Sequence, residues 1–222
     1  MKEHIRLSGV SFKYKKTTFA IKDISLTLFC GQTAVIAGAS GSGKTTLSKL
    51  MMGILAPLSG SVIMDGQDIK KLGLPETAKR SGYVFQNPER QLFCSSAKDE
   101  IKFSLKLKGE SEKEAEAKAE GLLARFSMQE RARDFPLKLS RGEKQRLALL
   151  AVFAMKPPYY ILDEPSSGID EQNKAQLVEM LREIKREGAG LCIITHDKAL
   201  TESLADRVLT MEGGRVVSDE SA

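Results

Sequence analysis

The stretch Gly38-Ala39-Ser40-Gly41-Ser42-Gly43-Lys44-Thr45 carries the strongest chemical signal in this chain. It fits G-x-x-x-x-G-K-[ST], a loop suited to cradling phosphate. Glycines let the backbone curl so that successive N–H groups point inward at phosphate oxygens. A helix beginning near Lys44 adds the positive end of its dipole. Lys44 supplies a cation for the β- and γ-phosphates, and the Thr45 hydroxyl suits Mg²⁺. A second, acidic site fits the same ion. Asp163-Glu164 follows the apolar run Tyr159–Leu162 and so falls at the end of a strand, facing the crevice where α/β sheets bind ligands. There Asp163 can hold Mg²⁺ through its water shell, and Glu164 is placed to take a proton from an attacking water.

These groups need a scaffold, and the hydrophobic pattern supplies one. Alternating runs at Ile5–Leu7, Val10–Tyr14 and Ile21–Leu28 predict strands. Thr33–Ala37, apolar on both faces, reads as the strand that feeds the glycine loop, with a helix expected from Lys44 to about Leu55. Ser61–Met64 with the Asp65-Gly66 turn, and Tyr83–Phe85, read as further strands. From Asn87 to Met155 the chain becomes helical and highly charged. Within it, Ser111-Glu112-Lys113-Glu114 has the form of a capping box, with Lys118 spaced i,i+4 from Glu114. Strand and helix then alternate again: an apolar strand at Tyr159–Leu162, a helical stripe of Leu177, Met180, Leu181 and Ile184, and a strand at Leu191–Ile194. Val208–Met211 and Arg215–Val217 flank Gly213-Gly214 as a hairpin. The whole implies a parallel α/β sheet with a helical insertion.

Composition narrows the function classes. A chain of 222 residues suits one compact domain with room for an inserted subdomain. The longest apolar run, Leu147–Met155, falls well short of the roughly 20 residues that cross a bilayer, so any membrane role is expected to come through a partner. Met1-Lys2-Glu3-His4 lacks the apolar stretch of a secretory signal. Cys30, Cys94 and Cys192 are scattered and odd in number, which favours a reducing cytosol over a disulfide framework. The net charge is +5, but with no Trp and no long basic run nucleic-acid binding is not expected.

Taken in order, the motifs resemble those of the nucleotide-binding subunits of ABC transporters along essentially the whole chain. Phe12-Lys13-Tyr14 is similar to the aromatic loop, Gly38 to Thr46 to Walker A, and Phe85-Gln86-Asn87-Pro88 to the Q-loop. Leu139-Ser140-Arg141-Gly142-Glu143-Lys144-Gln145-Arg146 resembles the LSGGQ signature. Leu162 to Asp170 runs Walker B into the D-loop, and Ile194-Thr195-His196-Asp197 resembles the switch-histidine loop. The resemblance implies an α/β P-loop NTPase: a RecA-like parallel sheet core with an antiparallel β subdomain, plus an inserted α-helical subdomain. A single ABC ATPase domain would span residues 1–222, with 1–86 and 156–222 as core and 87–155 as the helical, signature-bearing part.

The same resemblance implies ATP hydrolysis with Mg²⁺ between two subunits packed head to tail, as a homodimer or heterodimer. Tyr14 would stack on adenine. Gly38, Ala39, Ser40, Gly41, Ser42, Gly43, Lys44, Thr45 and Thr46 would bind ATP. Thr45, Gln86 and Asp163 would hold Mg²⁺, Glu164 would act on water, and His196 would hold the γ-phosphate. Ser140, Arg141, Gly142 and Glu143 would face the partner's ATP, and Asp170 would bridge the subunits. The signature departs from the family pattern, with Arg141 for a glycine and Glu143 for a glutamine. A carboxylate near phosphate is unfavourable unless it turns to a cap or a cation.

Gln86-Asn87-Pro88-Glu89-Arg90-Gln91-Leu92-Phe93 is similar to the Q-N-P-x-x-Q-[LI]-F stretch of energy-coupling factor importers, which take up vitamins or cobalt and nickel ions. This implies a transmembrane coupling subunit as partner and a place on the cytoplasmic face of the membrane. In the family, the junction after Gln86 forms a groove for a helix of that partner, where Arg90, Gln91, Leu92 and Phe93 would sit; the alternative for the apolar Leu92 and Phe93 is to pack the insertion against the core. Many members carry a C-terminal extension, so the resemblance also implies a compact member or half of a fused protein. The alternatives are a soluble ABC ATPase acting on nucleic acid or ribosomes, and an exporter ATPase.

Overall fold

The computed structural model describes residues 1–15 and 19–222. Two long strands open the chain, β1 (Glu3–Lys13) and β2 (Phe19–Phe29), paired antiparallel; β3 (Thr33–Ala37) and α1 (Lys44–Met51) follow. β4 (Ser59–Met64) and the short β5 (Gln67–Asp68) complete an antiparallel sheet in the order β2-β1-β4-β5. Next come α2 (Ile69–Arg80) and β6 (Ser81–Val84). Between β6 and β7 (Tyr159–Asp163), the regular elements among the described residues are helical: α3 (Ala97–Leu107), α4 (Glu112–Arg125), α5 (Arg141–Met155) and short 3₁₀ turns. α6 (Glu171–Arg186), β8 (Gly190–Ile194) and α7 (Lys198–Leu204) lead to the hairpin β9 (Arg207–Glu212) and β10 (Arg215–Ser221). The second sheet has the order β10-β9-β3-β8-β7-β6 and is parallel apart from β10.

The parallel sheet divides two cores. Along β7, Tyr160 and Leu162 pack with the helices, while Tyr159 and Ile161 pack with the antiparallel sheet. Leu191 and Ile193 of β8 likewise face the first core, and Cys192 and Ile194 the second. This is the two-residue strand period with both faces covered, and it explains the continuous apolar runs of β3, β7 and β8. The three cysteines are unpaired.

Three expectations change. α1 stops at Met51 rather than near Leu55, because Gly53 takes a left-handed φ of 68° just after it. α2 was hidden by Gly73 and Pro75: it bends at Gly73 (φ 71°, ψ 163°) and starts on an Asp68 cap. The box at Ser111 forms, but Lys118 pairs with Glu110 at 2.5 Å instead of with Glu114, whose carboxylate serves the cap.

A buried histidine is among the polar links that fasten the two sheets. His4 of β1 is 1% exposed, bonds Ser81 Oγ through Nε2 (2.7 Å) and Asp65 through Nδ1 (3.2 Å), and stacks on Tyr159. Burial lowers its pKa below the ordinary 6.5, against the opposing charge and hydrogen bond of Asp65. The folded state therefore favours neutral imidazole, and below pH 6.5 the unfolded chain binds more protons. His4's contribution is full above that pH and is lost as pH falls. The melting temperature should drop between pH 7 and 5 more steeply for wild type than for His4→Asn; parallel curves would refute this link.

Candidate functional site

β3, β6, β7 and β8 run parallel, so their C-terminal ends open on one edge of the sheet. The glycine loop leaves β3 there, Gln86 follows β6, Asp163 ends β7, and His196 follows β8. A cleft of about 670 Å³ lies at this edge. Its walls bring together Tyr14, Gly38, Ser40, Gly41, Gly43, Lys44, Thr45, Thr46, Gln86, Asp163, Glu164 and His196. Residues distant in sequence thus meet at the place where α/β sheets bind ligands.

The loop provides a positive floor. Lys44 is nearly buried, and its ammonium donates to the Gly38 (2.8 Å) and Ala39 (2.9 Å) carbonyls and to Ser42 Oγ (3.4 Å), inside the curl of the loop. α1 begins after Gly43, which has no side chain to cap its N–H groups, and no acidic residue lies in its first turn. Uncapped N–H groups and a helix dipole suit an anion. Tyr14 stands at the rim, 41% exposed, its ring edge-on to Phe12 and its hydroxyl 3.3 Å from Thr46 Oγ1.

The acidic wall is buried. Both oxygens of the Asp163 carboxylate lack a hydrogen-bond partner among the described residues. Burial pushes its pKa up to about 6; the Thr45 hydroxyl, outside hydrogen-bond geometry, and the Lys44 and Lys49 charges pull the other way. Two orphaned carboxylate oxygens beside a hydroxyl and an amide form a hard oxygen donor set, which fits Mg²⁺. Glu164 holds a left-handed φ of 53°, with its N–H donating to the Ile194 carbonyl at 2.8 Å. His196 Nδ1 lies 3.0 Å from Glu164 Oε1 and 2.9 Å from Oε2, while the imidazole itself is largely exposed. A residue the sequence reading missed supports this turn: Gln145, 1% exposed on α5, donates to the Glu164 carbonyl (3.4 Å). The available signal was an amide buried on an otherwise apolar helix face.

The remaining expected residues stand apart from the cleft floor. Ala39 and Ser42 belong to the loop, where Ala39's carbonyl and Ser42's hydroxyl accept from Lys44. Ser140 caps α5, and Asp170 caps α6 by accepting from Asn173 N–H (3.0 Å) and Nδ2 (2.7 Å), which holds its carboxyl below the usual range. Arg141 reaches the cleft wall and donates to Ser167 Oγ (3.3 Å). A Cβ on Gly142 would lie 2.4 Å from the Gly168 carbonyl oxygen, so only glycine lets the signature turn meet the D-loop this closely.

Beyond the cleft, a mainly apolar groove of about 340 Å³ runs between α2 and α3, past β6 and α5. Ile54, Leu74, Phe93, Phe103 and Leu107 line it and stay exposed. Leu92 is buried, whereas Phe93 is 67% exposed. Gln91 turns inward: it accepts from the Phe85 N–H (3.2 Å) and donates to the Ala148 carbonyl (3.4 Å). It joins the end of β6 to α5 while, half-buried, it also lines the groove. Among the described residues, no helix is long and apolar enough to cross a membrane.

Comparison with known proteins agrees with this geometry. The family model described as ABC transporter matches residues 21–167. A protein of Pyrococcus horikoshii named as an ABC transporter ATP-binding protein is 37% identical over 212 residues, covering 96% of this chain and 81% of its own. Among solved structures, the ATP-binding cassette MJ0796, a dimer in a post-hydrolysis state with ADP and Pi, superposes with a TM-score of 0.88 at 25% identity, over 98% of both chains. The structure of cbiO1 from Clostridium perfringens, part of the ABC transporter complex cbiONQ, gives 0.81 at 29% identity over all of this chain and 89% of that one.

Proposed function

This chain belongs to the ABC transporter family as an ATP-binding, ATP-hydrolysing subunit, and from that premise we propose that it powers an energy-coupling factor importer for a vitamin or a cobalt or nickel ion. It would sit on the cytoplasmic face of the membrane, paired head to tail with a second ABC ATPase subunit and docked on a transmembrane coupling subunit. The observation that carries the importer reading is the Gln86–Phe93 stretch ending in an exposed Phe93 on an apolar groove. The likeness to cbiO1, part of cbiONQ, supports it.

In this reading, Tyr14 stacks on adenine and the loop from Gly38 to Thr46 binds the phosphates, with Lys44 neutralising their charge. Thr45, Gln86 and Asp163 hold Mg²⁺, which when bound offsets the charge that develops on the phosphates. Glu164 takes a proton from the water that attacks the γ-phosphate. His196, 3.0 Å from that carboxylate, orients it and contacts the phosphate from the rim. Gly142 offers its N–H to the partner's nucleotide, and Ser140, whose N–H and Oγ–H both donate to Glu143 here, would turn its hydroxyl from that carboxylate to do the same. The division into a core, 1–86 and 156–222, and a helical part, 87–155, belongs to the same proposal, because closure of the dimer must move the groove to drive transport.

Affinity capture from native membranes tests it: a membrane subunit should copurify. Recovery with ribosomes, or alone, would overturn the importer reading. Phe93 supplies a finer prediction. Phe93→Ser should leave the isolated subunit's ATPase within about 2-fold of wild type, as expected of an exposed position outside the cleft. It should also cut transport by the assembled complex about 10-fold or more, the scale of a lost aromatic anchor. Equal falls in both activities would place Phe93 in the fold or the catalytic site instead.

A further inference from the structure

Glu143 puts a carboxylate at the start of α5, where the head-to-tail reading brings a partner's nucleotide. Two sets of contacts hold it. Its Oε2 accepts from the Ser140 N–H (2.9 Å) and Oγ–H (2.7 Å), while the Glu143 N–H donates back to Ser140 Oγ (3.3 Å). Its Oε1 accepts from Arg131 Nε at 2.9 Å. Arg131 comes from the 3₁₀ turn Gln129–Arg131 and also meets Asp134 at 3.3 Å. The carboxylate is the more sheltered partner, its side chain 18% exposed against 52% for Arg131.

The cap alone accounts for Oε2. S-x-x-E and S-x-x-Q serve equally as capping boxes, so the cap does not need a charge. The charge on Glu143 has a different consequence. It stands within one helical turn of the Gly142 N–H, which would meet a triphosphate, and itself holds both donors of Ser140, and its partial burial weakens solvent screening of its field. A guanidinium bonded to the same carboxyl group cancels that field at short range.

We propose that Arg131 is a positioning residue: it holds the Glu143 carboxylate in the α5 cap and neutralises it, so that a signature carrying an acid can still receive the partner subunit's nucleoside triphosphate. This rests on the head-to-tail reading above. A merely structural clamp, joining the 129–131 turn to α5 through the same ion pair, would make Glu143→Gln alone as costly to ATP-driven dimerisation as Arg131→Ala, whereas neutralisation leaves Glu143→Gln alone within about 2-fold of the parent.

The test is a double-mutant cycle in the Glu164→Gln protein, read as the ATP concentration giving half-maximal dimer on a sizing column. Arg131→Ala should raise that concentration about 5- to 10-fold, the scale of one unit charge a few ångströms away at partial exposure. In the Glu143→Gln background the same change should cost less than about 2-fold, because no charge remains to cancel. Arg131→Lys, which keeps the cation, should stay within about 2-fold of the parent. The Arg131→Ala penalty should also shrink at about 0.5 M salt. Equal losses in both Glu143 backgrounds, insensitive to salt, or a Glu143→Gln loss as large as that of Arg131→Ala, would overturn the inference and leave a structural clamp. A parent that does not dimerise with ATP would instead overturn the head-to-tail reading, and this inference with it.

Discussion

Glu164→Gln should lower ATP turnover by at least ~100-fold, the usual scale for losing a general base, while ATP binding persists. Glu164 is 9% exposed just past the end of β7 and lines the same cleft as the glycine loop. Its backbone is fixed by the Ile194 carbonyl on one side and Gln145 on the other, and its carboxylate meets His196. Glutamine keeps the shape and most hydrogen bonds of this turn but cannot accept the proton of an attacking water. Asp163, its neighbour, cannot substitute, because its carboxylate is wholly buried and suited to the metal. Lys44→Ala should differ in kind: it removes the cation inside the loop and so weakens nucleotide binding itself. Steady-state ATPase rates beside direct nucleotide-binding measurements separate the two. Near-normal turnover in Glu164→Gln would remove Glu164 from the role of base.

How far the sequence foretold this site depends on the range of the interactions. β3, β7 and β8 were readable because a strand buried on both faces writes an unbroken apolar run. The caps at Ser111 and Ser140 were readable because their partners lie three residues away. The phosphate loop was readable because its strand, glycines, lysine and helix are contiguous. α2 was not, since Gly73 and Pro75 interrupt its pattern and tertiary packing overrides their propensity. The inward turn of Gln91 was equally hidden, because its partner Ala148 lies 57 residues away. His4 bonding Ser81, Gln145 supporting Glu164, and Arg131 meeting Glu143 share that character. Each is a polar contact made across elements, and no local period records it. The doubt over Glu143 had a sequence-level form, a carboxylate that must find a cap or a cation, and the structure gives it both.

In the proposed head-to-tail pairing ATP joins two subunits: of the signature residues Ser140 to Glu143, Arg141 alone reaches the cleft that holds the glycine loop. Lys44 and Thr45 lie in the cleft, whereas Ser140 and Gly142 do not line it. A nucleotide that needs both must recruit the second set from another subunit, and its phosphates then bind the two chains together. Interface contacts made through a shared ligand add its binding energy to association. Turnover would convert the ATP that joins the subunits to ADP and hide this, so the Glu164→Gln protein, which binds ATP but scarcely hydrolyses it, is the right subject. On a sizing column it should run as a monomer without nucleotide and with ADP, and as a dimer with ATP and Mg²⁺. A stable dimer without nucleotide, unchanged by ATP, would contradict the account.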